Sequence, residues 1–345
     1  MKIAVYPYNT RVDFLAEFCE SMATCDKFIF VPLAGTKYLP KNTIHTKITY
    51  DIFEAINECD LIILLSGNSE IKRYYEIVKY ATEHDKEIKV DEDVYGKLSD
   101  TLKKEVICLK NNPYKVSRTD NVLREIDVPV ISVMSMGDNL KKFNIQMKLK
   151  TFFESAGYRV LVIATHELSE LFDVVRMPQF MFDNYSFTKK VLDFNQFVYD
   201  EIRRYKPDLV IIGCPGGIMP YNRYIHNYFG EIPYIVSKAV PIDINIVSTY
   251  FVAEDSDQKQ FFESLDQYCK ENFECEMNFF TLCNIYMNYN RERNIVEYLV
   301  FDKDTVKKYL ESASLLNVFD CLDQQSVKNM FSGIKHILET DFQVM

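Results

Sequence analysis

Short apolar runs alternate with amphipathic segments along the first third of the chain. The runs typical of buried strands are Lys2–Tyr6, Lys27–Leu33, Asp60–Leu65 and Glu87–Val90. The segments with helical spacing of apolar residues are Asp13–Met22, Tyr50–Glu58 and Glu70–His84. Continuous Val, Ile and Leu strands that alternate with helices predict a parallel sheet covered on both faces. Residues 1–110 are therefore predicted to form a Rossmann-like α/β domain.

The alternation of apolar strands with amphipathic helices stops and then begins again further along the chain. Residues 111–127 contain Asn-Asn-Pro and mixed charge, as is typical of a connector. The predicted strands after it are Val128–Met134, Tyr158–Ala164, Asp208–Gly213 and Ile242–Phe251, and the predicted helices are Phe143–Ala156 and Phe187–Tyr205. A helix at Ser256–Asn272, a strand near Val296–Phe301 and a helix at Gln324–Glu339 follow. The prediction for 128–345 is a second parallel-sheet domain, degenerate P-loop-like, with a C-terminal helical and strand extension.

Composition narrows the class of protein. The 345 residues are 48% hydrophobic and 26% charged, which argues against a disordered chain or a coiled coil. The formal net charge of −10 argues against a protein that binds nucleic acid through its phosphate backbone. No apolar run approaches the roughly 20 residues of a membrane helix, and no signal-peptide pattern follows the first strand. The sequence predicts a cytoplasmic protein without a membrane partner.

Nine cysteines occur without a Cys-x-x-Cys pair, which indicates reduced, buried thiols. Cys269, Cys275 and Cys283 would hold a metal only if the fold brought them together, so no metal site is predicted.

The first strand is followed by Pro7–Arg11, a stretch without glycine. A dinucleotide-binding turn needs glycine close to the pyrophosphate, and this absence argues against NAD.

A lysine-bearing loop connects the strand Val128–Met134 to the next helix. In a P-loop, glycines turn backbone amides toward phosphate oxygens, a lysine reaches the outer phosphates and a Ser or Thr holds Mg²⁺. With Lys142 as the motif lysine, Met136 takes the first glycine position, Lys141 the second, and Phe143 the hydroxyl position. The candidate phosphate-binding residues here are Gly137, Asp138, Asn139, Lys141 and Lys142. The alternative is an ordinary turn with solvated lysines.

Gly216 and Gly217 follow the strand Asp208–Gly213 and form the only Gly-Gly pair of the sequence. Paired glycines at the carboxyl end of a strand expose backbone amides, which suits an anionic ligand. Because ligands of open α/β sheets collect at this edge, we expect Gly137 and Gly216 to lie close together.

His166 and Glu167 follow another strand and are weak catalytic candidates, His166 as a general base. The alternative for His166 is a surface residue.

Two aromatic segments, Met177–Tyr185 and Tyr221–Phe229, combine Tyr, Phe and Arg side chains of the kind favoured at interfaces. They are candidate surfaces for a peptide or protein partner, or else packed loops over the sheet edge.

The lysine loop, the glycine pair and the strand-like Gly157–Ile163 together resemble the dethiobiotin synthetase-like branch of P-loop proteins. A second, narrower resemblance rests on several short sequence segments. These segments are similar to the clostridial peptide maturation system protein family. The matching strings are Val5–Pro7, Gly137–Asn139, Lys142–Phe143 with Gln146, Glu170–Phe172, Pro178–Phe182 and Pro215–Pro220. This resemblance implies a role beside a small Cys-rich ribosomal peptide and a radical-SAM maturase.

The sequence thus predicts an accessory protein in peptide maturation that binds a phosphate-bearing or other anionic ligand, a peptide or maturase, or both. ATP or another nucleotide is the candidate ligand. The alternative function is an ATP-dependent ligase or synthetase of the dethiobiotin synthetase-like type. The hydroxyl missing at Phe143 argues against this alternative, because Mg²⁺ needs oxygen ligands. Whether the protein is an enzyme stays open at this point.

Overall fold

The structure, a computed structural model, describes residues 1–9, 12, 14–18, 25–36, 39–67, 69–109, 112–116, 121–138, 140–252, 258–313 and 317–341. The chain divides into two compact units. The first consists of Met1–Asn111 and Glu167–Asp173, and the second of Asn112–His166 and Val174–Met345. The fold is α/β with a parallel sheet in each unit, as the sequence predicts.

The first unit contains a six-stranded parallel sheet with the order β3-β2-β1-β4-β5-β6. Its strands are β1 (Lys2–Tyr8), β2 (Lys27–Pro32), β3 (Thr46–Ile48), β4 (Leu61–Leu64), β5 (Glu87–Asp91) and β6 (Ile107–Leu109). Its helices are α1 (Leu15–Phe18), α2 (Ile52–Glu58), α3 (Ile71–Glu83) and α4 (Glu92–Lys97). Every residue of β4 is buried, because helices cover both faces of a parallel sheet.

The second unit contains a seven-stranded parallel sheet with the order β15-β12-β11-β7-β10-β8-β9. Its strands are β7 (Val130–Ser135), β8 (Val160–Ala164), β9 (Val175–Arg176), β10 (Leu209–Gly213), β11 (Ile244–Thr249), β12 (Met277–Leu282) and β15 (Val318–Asp320). The strands β13 (Ile285–Asn290) and β14 (Ile295–Val300) form a separate antiparallel hairpin. The helices are α5 (Lys142–Ser155), α6 (Phe187–Tyr205), α7 (Glu231–Ala239), α8 (Gln258–Phe273), α9 (Lys303–Ala313) and α10 (Gln324–Asp341).

A chain of buried amides fixes the register of three neighbouring strands in the second sheet. The Ser132 hydroxyl donates to Asn245 Oδ1 at 2.7 Å, and Asn245 Nδ2 donates to Asn278 Oδ1 at 3.2 Å. Asn278 Nδ2 then reaches Asp266 Oδ1 of α8 at 3.0 Å. Buried polar groups need such partners, so a slip of β7, β11 or β12 by one residue would break this chain. The register of these strands is therefore fixed, and so are the positions at which the following loops begin.

Several elements differ from the sequence prediction. The expected strand near Val296–Phe301 is β14, which lies outside the seven-stranded sheet and exposes most of its side chains. The run that does enter the sheet is Met277–Leu282, which sequence reasoning passed over. Part of the helix expected at Asp13–Met22 lies outside the described residues, and Leu15–Phe18 is helical.

In the part of the chain that the structure describes, no helix has the length and apolar character needed to cross a membrane.

Candidate functional site

Two loops of the second unit meet at the carboxyl edge of its sheet because β7 and β10 are neighbours. The Ser135 hydroxyl at the end of β7 donates to the Gly137 carbonyl at 2.6 Å and lies 3.3 Å from the Gly216 carbonyl oxygen. The Ile218 amide donates to the Ser135 carbonyl at 2.8 Å. Gly137 and Gly216 therefore lie together, in the arrangement expected from the sequence. We call residues 136–138, 140–142 and 214–217 the loop cluster.

Lys142 joins the two loops of the cluster. It is the first residue of α5, and its ammonium group donates to the carbonyl oxygens of Cys214 and Gly216, both at 2.8 Å. The side chain is half-buried, and among the described residues no carboxylate lies within ion-pairing distance of it. The interpretation of this lysine as solvated is wrong, because the side chain turns inward to the β10 loop.

Burial also changes the acidity of this site. It lowers the pKa of Lys142 from its ordinary value to about 8, since desolvation disfavours the charged form. The neighbouring Cys214 thiol is buried, and burial raises its pKa to about 12. The thiol therefore stays protonated near neutral pH and gives the ammonium no counter-charge. Carbonyl oxygens supply the direct contacts of the ammonium group, and the Asp138 carboxylate partly offsets the effect of burial on its pKa.

Close packing explains why glycine stands at the predicted positions. A Cβ on Gly137 would lie 2.5 Å from the Tyr250 hydroxyl, and that hydroxyl donates to the Asp138 carbonyl at 2.8 Å. A Cβ on Gly217 would lie 2.7 Å from the Met136 carbonyl oxygen. Gly216 has a φ of +72°, which favours glycine. These contacts bring the loop backbones closer than other residues would allow.

The remaining candidates of the lysine loop are placed differently. Asp138 and Lys141 are exposed, and Lys141 has a left-handed φ of 53° just before α5. Asn139 lies outside the described residues. The side chains of Asp138 and Lys141 therefore lie at the rim of the loop cluster rather than between its two loops.

Gln146 lies on α5 just beyond this loop. It is 3% exposed, and its amide lies against the Cα of Gly213 at the end of β10. Its Oε1 is buried and has no hydrogen-bond partner among the residues that the structure describes, which is costly for a polar atom. Sequence reasoning noted Gln146 only as part of a matching string. Its position between α5 and β10 leaves one buried acceptor beside the loop cluster.

The two catalytic candidates, His166 and Glu167, belong to different units of the chain. The His166 ring stacks on Phe143, with ring centroids 4.6 Å apart and an interplanar angle of 20°. Phe143 thus supports the imidazole at the position where a P-loop would carry a hydroxyl. Glu167 belongs to the segment Glu167–Asp173 of the first unit. The structure places His166, and not Glu167, in the unit that holds the loop cluster.

A left-handed turn follows the glycine pair and contacts the loop cluster. Asn227, Tyr228 and Phe229 have φ values of 46°, 53° and 54°, and Gly230 has 73°. The Asn227 side-chain amide donates to the carbonyls of Met136 at 2.8 Å and Met219 at 3.0 Å. Sequence reasoning included these residues only in an aromatic segment, because no composition signal marks a left-handed run of aromatic residues.

The aromatic segments divide into buried and exposed parts. In Met177–Tyr185, Phe180 and Met181 are buried, whereas Phe182 and Tyr185 are exposed. Tyr224 is 44% exposed and stacks on Tyr289 of β13, with centroids 5.2 Å apart. The guanidinium carbons of Arg223 and Arg291 lie 4.9 Å and 5.6 Å from the Tyr224 ring centroid. We call these four side chains the Tyr224 cluster.

The three cysteines considered as a metal site do not converge. Cys275 precedes β12 and bonds the Asp243 carbonyl, whereas Cys283 follows the other end of the same strand. The Cys321 thiol donates to the Cys283 sulfur at 3.4 Å, and the Cys283 thiol donates to the Leu140 carbonyl at 3.7 Å. The contact with Cys321, followed by burial, raises the pKa of the Cys283 thiol. Within the described ranges, no group of three or more His, Cys, Asp or Glu side chains is placed to hold a metal ion.

Comparison with solved structures supports the fold. A DUF1611 family protein from Anabaena variabilis shares 10% sequence identity, with 90% of this chain and 92% of that chain covered at a TM-score of 0.54. At this identity the likeness shows a shared fold and nothing of activity.

Two further structures are similar at lower scores. A plasmid partition protein from Borrelia burgdorferi is 14% identical over 63% of this chain and 99% of its own, with a TM-score of 0.33. A pseudomurein peptide ligase type C from Methanothermus fervidus is 12% identical over 84% of this chain and 50% of its own, with a TM-score of 0.26. No family model matches the chain, and no curated protein matches it in sequence.

Proposed function

We propose that the protein binds a phosphate-bearing ligand at the loop cluster and acts as an accessory protein in the maturation of a ribosomally made Cys-rich peptide. The observation that carries the binding proposal is the ammonium group of Lys142, which is half-buried and, within the described part of the chain, bonds only to carbonyl oxygens. A buried charge is costly unless it is paired. An anion at this position would supply the missing charge.

The hydrogen-bonding capacity of Lys142 fits such a contact. A lysine ammonium has three N–H donors, and two of them are used by Cys214 and Gly216. The third has no partner among the described residues, and we propose that it donates to the ligand. Lys142 also begins a helix of 14 residues, and the first amides of a helix have no partners within it and favour anions. Phosphate, with several acceptor oxygens, suits this combination of donors.

Two features support the maturation role. One is the resemblance of short sequence segments in both units to the clostridial peptide maturation system protein family, and the other is the Tyr224 cluster. Exposed Tyr and Arg side chains are enriched where proteins bind partners. The Tyr224 ring is held by Tyr289 and flanked by two guanidinium groups, so it is a preorganised contact. We propose that it contacts the precursor peptide or the radical-SAM maturase.

The ligase alternative has one observation in its favour, the lysine at the start of a helix after a parallel strand. Phosphoryl transfer also needs Mg²⁺ held by oxygen ligands. The ring at Phe143 packs on His166 and supplies no oxygen. Binding without turnover is therefore the better proposal.

Calorimetry with ATP and with inorganic tripolyphosphate tests the binding proposal. Lys142→Met should weaken binding at least about tenfold, since a charge-assisted hydrogen bond contributes roughly 1.5–3 kcal/mol. Lys150→Met is the matched control on the same helix, because Lys150 pairs with Glu154 at 2.9 Å, away from the loop. Absence of binding at millimolar concentration, or equal binding by the Lys142 variant, would contradict the proposal.

A separate experiment tests the maturation role. The genes beside that of this protein should encode a Cys-rich peptide and a radical-SAM enzyme, and purified copies of these should bind the parent protein. Tyr224→Ala should reduce that binding, whereas Tyr205→Ala, which removes a ring of similar exposure (46%) at the end of α6, should not. Neighbouring genes of other kinds, or equal loss in both variants, would rule out this role.

A further inference from the structure

The turn after β10 carries two solvent-exposed aromatic rings, and one of them lies near Gly216 of the loop cluster. Tyr228 and Phe229 are 69% and 74% exposed, although rings of this size commonly bury most of their surface. A Cβ built on Gly216 would lie 3.8 Å from Cδ2 of Tyr228. The carbonyl oxygen of the same glycine accepts the bond from Lys142. Tyr228 and the ammonium group therefore flank one residue of the loop cluster.

The backbone holds the Tyr228 ring in this place at a conformational cost. Residues with a Cβ avoid the left-handed region, yet Asn227, Tyr228 and Phe229 all occupy it in succession. Such conformations persist only where the surroundings enforce them, and they cluster at ligand clamps. Here the Asn227 amide enforces the turn by bonding the Met136 carbonyl of the lysine loop. The turn is thus fixed to the same loop that carries Lys142.

We infer that Tyr228 is the stacking platform for the aromatic base of a nucleotide whose phosphates lie at Lys142. This inference rests on the proposed function and names the class of its ligand, a nucleoside polyphosphate. Every nucleobase has a π-face, so stacking on a tyrosine ring binds a base without requiring a particular sequence of hydrogen bonds. The ribose of the nucleotide would span the distance between the exposed ring and the ammonium group.

Tyr228 and Phe229 differ in what covers their rings. The Phe229 ring stacks on the His226 imidazole, with centroids 5.2 Å apart and an angle of 16°. The Tyr228 ring lies almost perpendicular to the same imidazole, with centroids 5.5 Å apart and an angle of 86°. One face of Phe229 is thus occupied within the turn, whereas no ring among the described residues stacks in parallel on Tyr228. Phe229 is therefore a matched control with the same backbone conformation.

The experiment compares dissociation constants for ATP and inorganic tripolyphosphate in the parent protein, Tyr228→Ala, Tyr228→Phe and Phe229→Ala. The parent should bind ATP roughly tenfold or more tightly than tripolyphosphate, the range expected for stacking of one base. Tyr228→Ala should remove most of this preference while leaving the affinity for tripolyphosphate unchanged. Tyr228→Phe keeps a ring and should keep the preference, and so should Phe229→Ala.

Two outcomes separate this inference from the proposal beneath it. Equal affinity of the parent for ATP and tripolyphosphate, or equal loss of ATP affinity in Tyr228→Ala and Phe229→Ala, would overturn the stacking role and leave the phosphate site standing. No binding of either compound would overturn both. Circular dichroism of each variant checks that the left-handed turn can be altered without unfolding the unit.

Discussion

The ammonium nitrogen of Lys142 lies 2.8 Å from the carbonyl oxygen of Gly216, 74 residues further along the chain. This bond ties the start of α5 to the glycine loop after β10, and a second bond from the same group reaches Cys214. Lys142 is therefore part of the internal structure of the loop cluster as well as a source of positive charge. Both roles give measurable consequences.

The stability of the protein should depend on pH through Lys142. Burial lowers its pKa from 10.5 to about 8, so between these values the unfolded state binds more protons than the folded state, and stability rises with pH. Between pH 7.5 and 9 the free energy of unfolding of the parent should rise by about 1 kcal/mol relative to Lys142→Met. Urea titrations of both proteins measure this difference. A difference that stays constant or falls would contradict the lowered pKa.

Ligand binding should weaken as Lys142 loses its proton. A phosphate ester is fully ionised above about pH 7.5, because its second pKa is near ~6. With a lysine pKa of about 8, the dissociation constant for ATP should rise roughly tenfold between pH 8 and pH 9.5. Lys142→Arg keeps its charge over this range and should show little change. A parallel decline in both proteins would assign the effect to another group.

Gly137 should not tolerate a side chain, and the reason should be Tyr250. A Cβ at residue 137 would meet the Tyr250 hydroxyl at 2.5 Å and its ring carbon Cε2 at 3.1 Å. Gly137→Ala should therefore lower the free energy of unfolding by about 1–3 kcal/mol, the usual cost of overpacking. In a Tyr250→Phe background the cost should be smaller, since the nearest atom is gone. A double-mutant cycle by thermal unfolding measures this coupling, and additive effects would show that the clash is relieved elsewhere.

Mg²⁺ should contribute little to nucleotide binding by this protein. Phe143 packs on His166 in place of a metal-binding hydroxyl, and Mg²⁺ requires oxygen ligands in octahedral geometry. The dissociation constant for ATP should change by less than about threefold when Mg²⁺ replaces EDTA, and phosphate release should stay at background. Calorimetry and a phosphate-release assay measure the two quantities. Mg²⁺-dependent hydrolysis that Lys142→Met abolishes would establish an enzyme instead.

The elements that sequence reasoning located best are those with strong periodicity. The helix predicted at Phe187–Tyr205 has the same bounds in the structure, because its amphipathic pattern runs uninterrupted between a Ser cap and a left-handed Lys206. Short elements such as β3, β6 and β15 were missed. Three-residue strands at or near sheet edges carry too few side chains for a pattern to appear.

The loop cluster was predicted from glycines that follow predicted strands, which are local signals. The partners of Lys142 were not, because carbonyl acceptors belong to the backbone and leave no trace in residue type. The same holds for Tyr228, since residue preferences argue against a tyrosine in the left-handed region. Both features depend on contacts between segments distant in sequence, and only the folded chain brings these together.

The first unit is assembled from two stretches of chain, and this determines when it can be finished during synthesis. The ring of Phe172 packs against Phe14 and Phe18, with centroids 5.7 Å and 6.4 Å away. A ribosome delivers all six strands of the first sheet well before it delivers Phe172. Until then the rings of Phe14 and Phe18 lack this cover, and nascent apolar surface of this kind is where chaperones act. A chain cut after residue 110 would keep that surface open permanently.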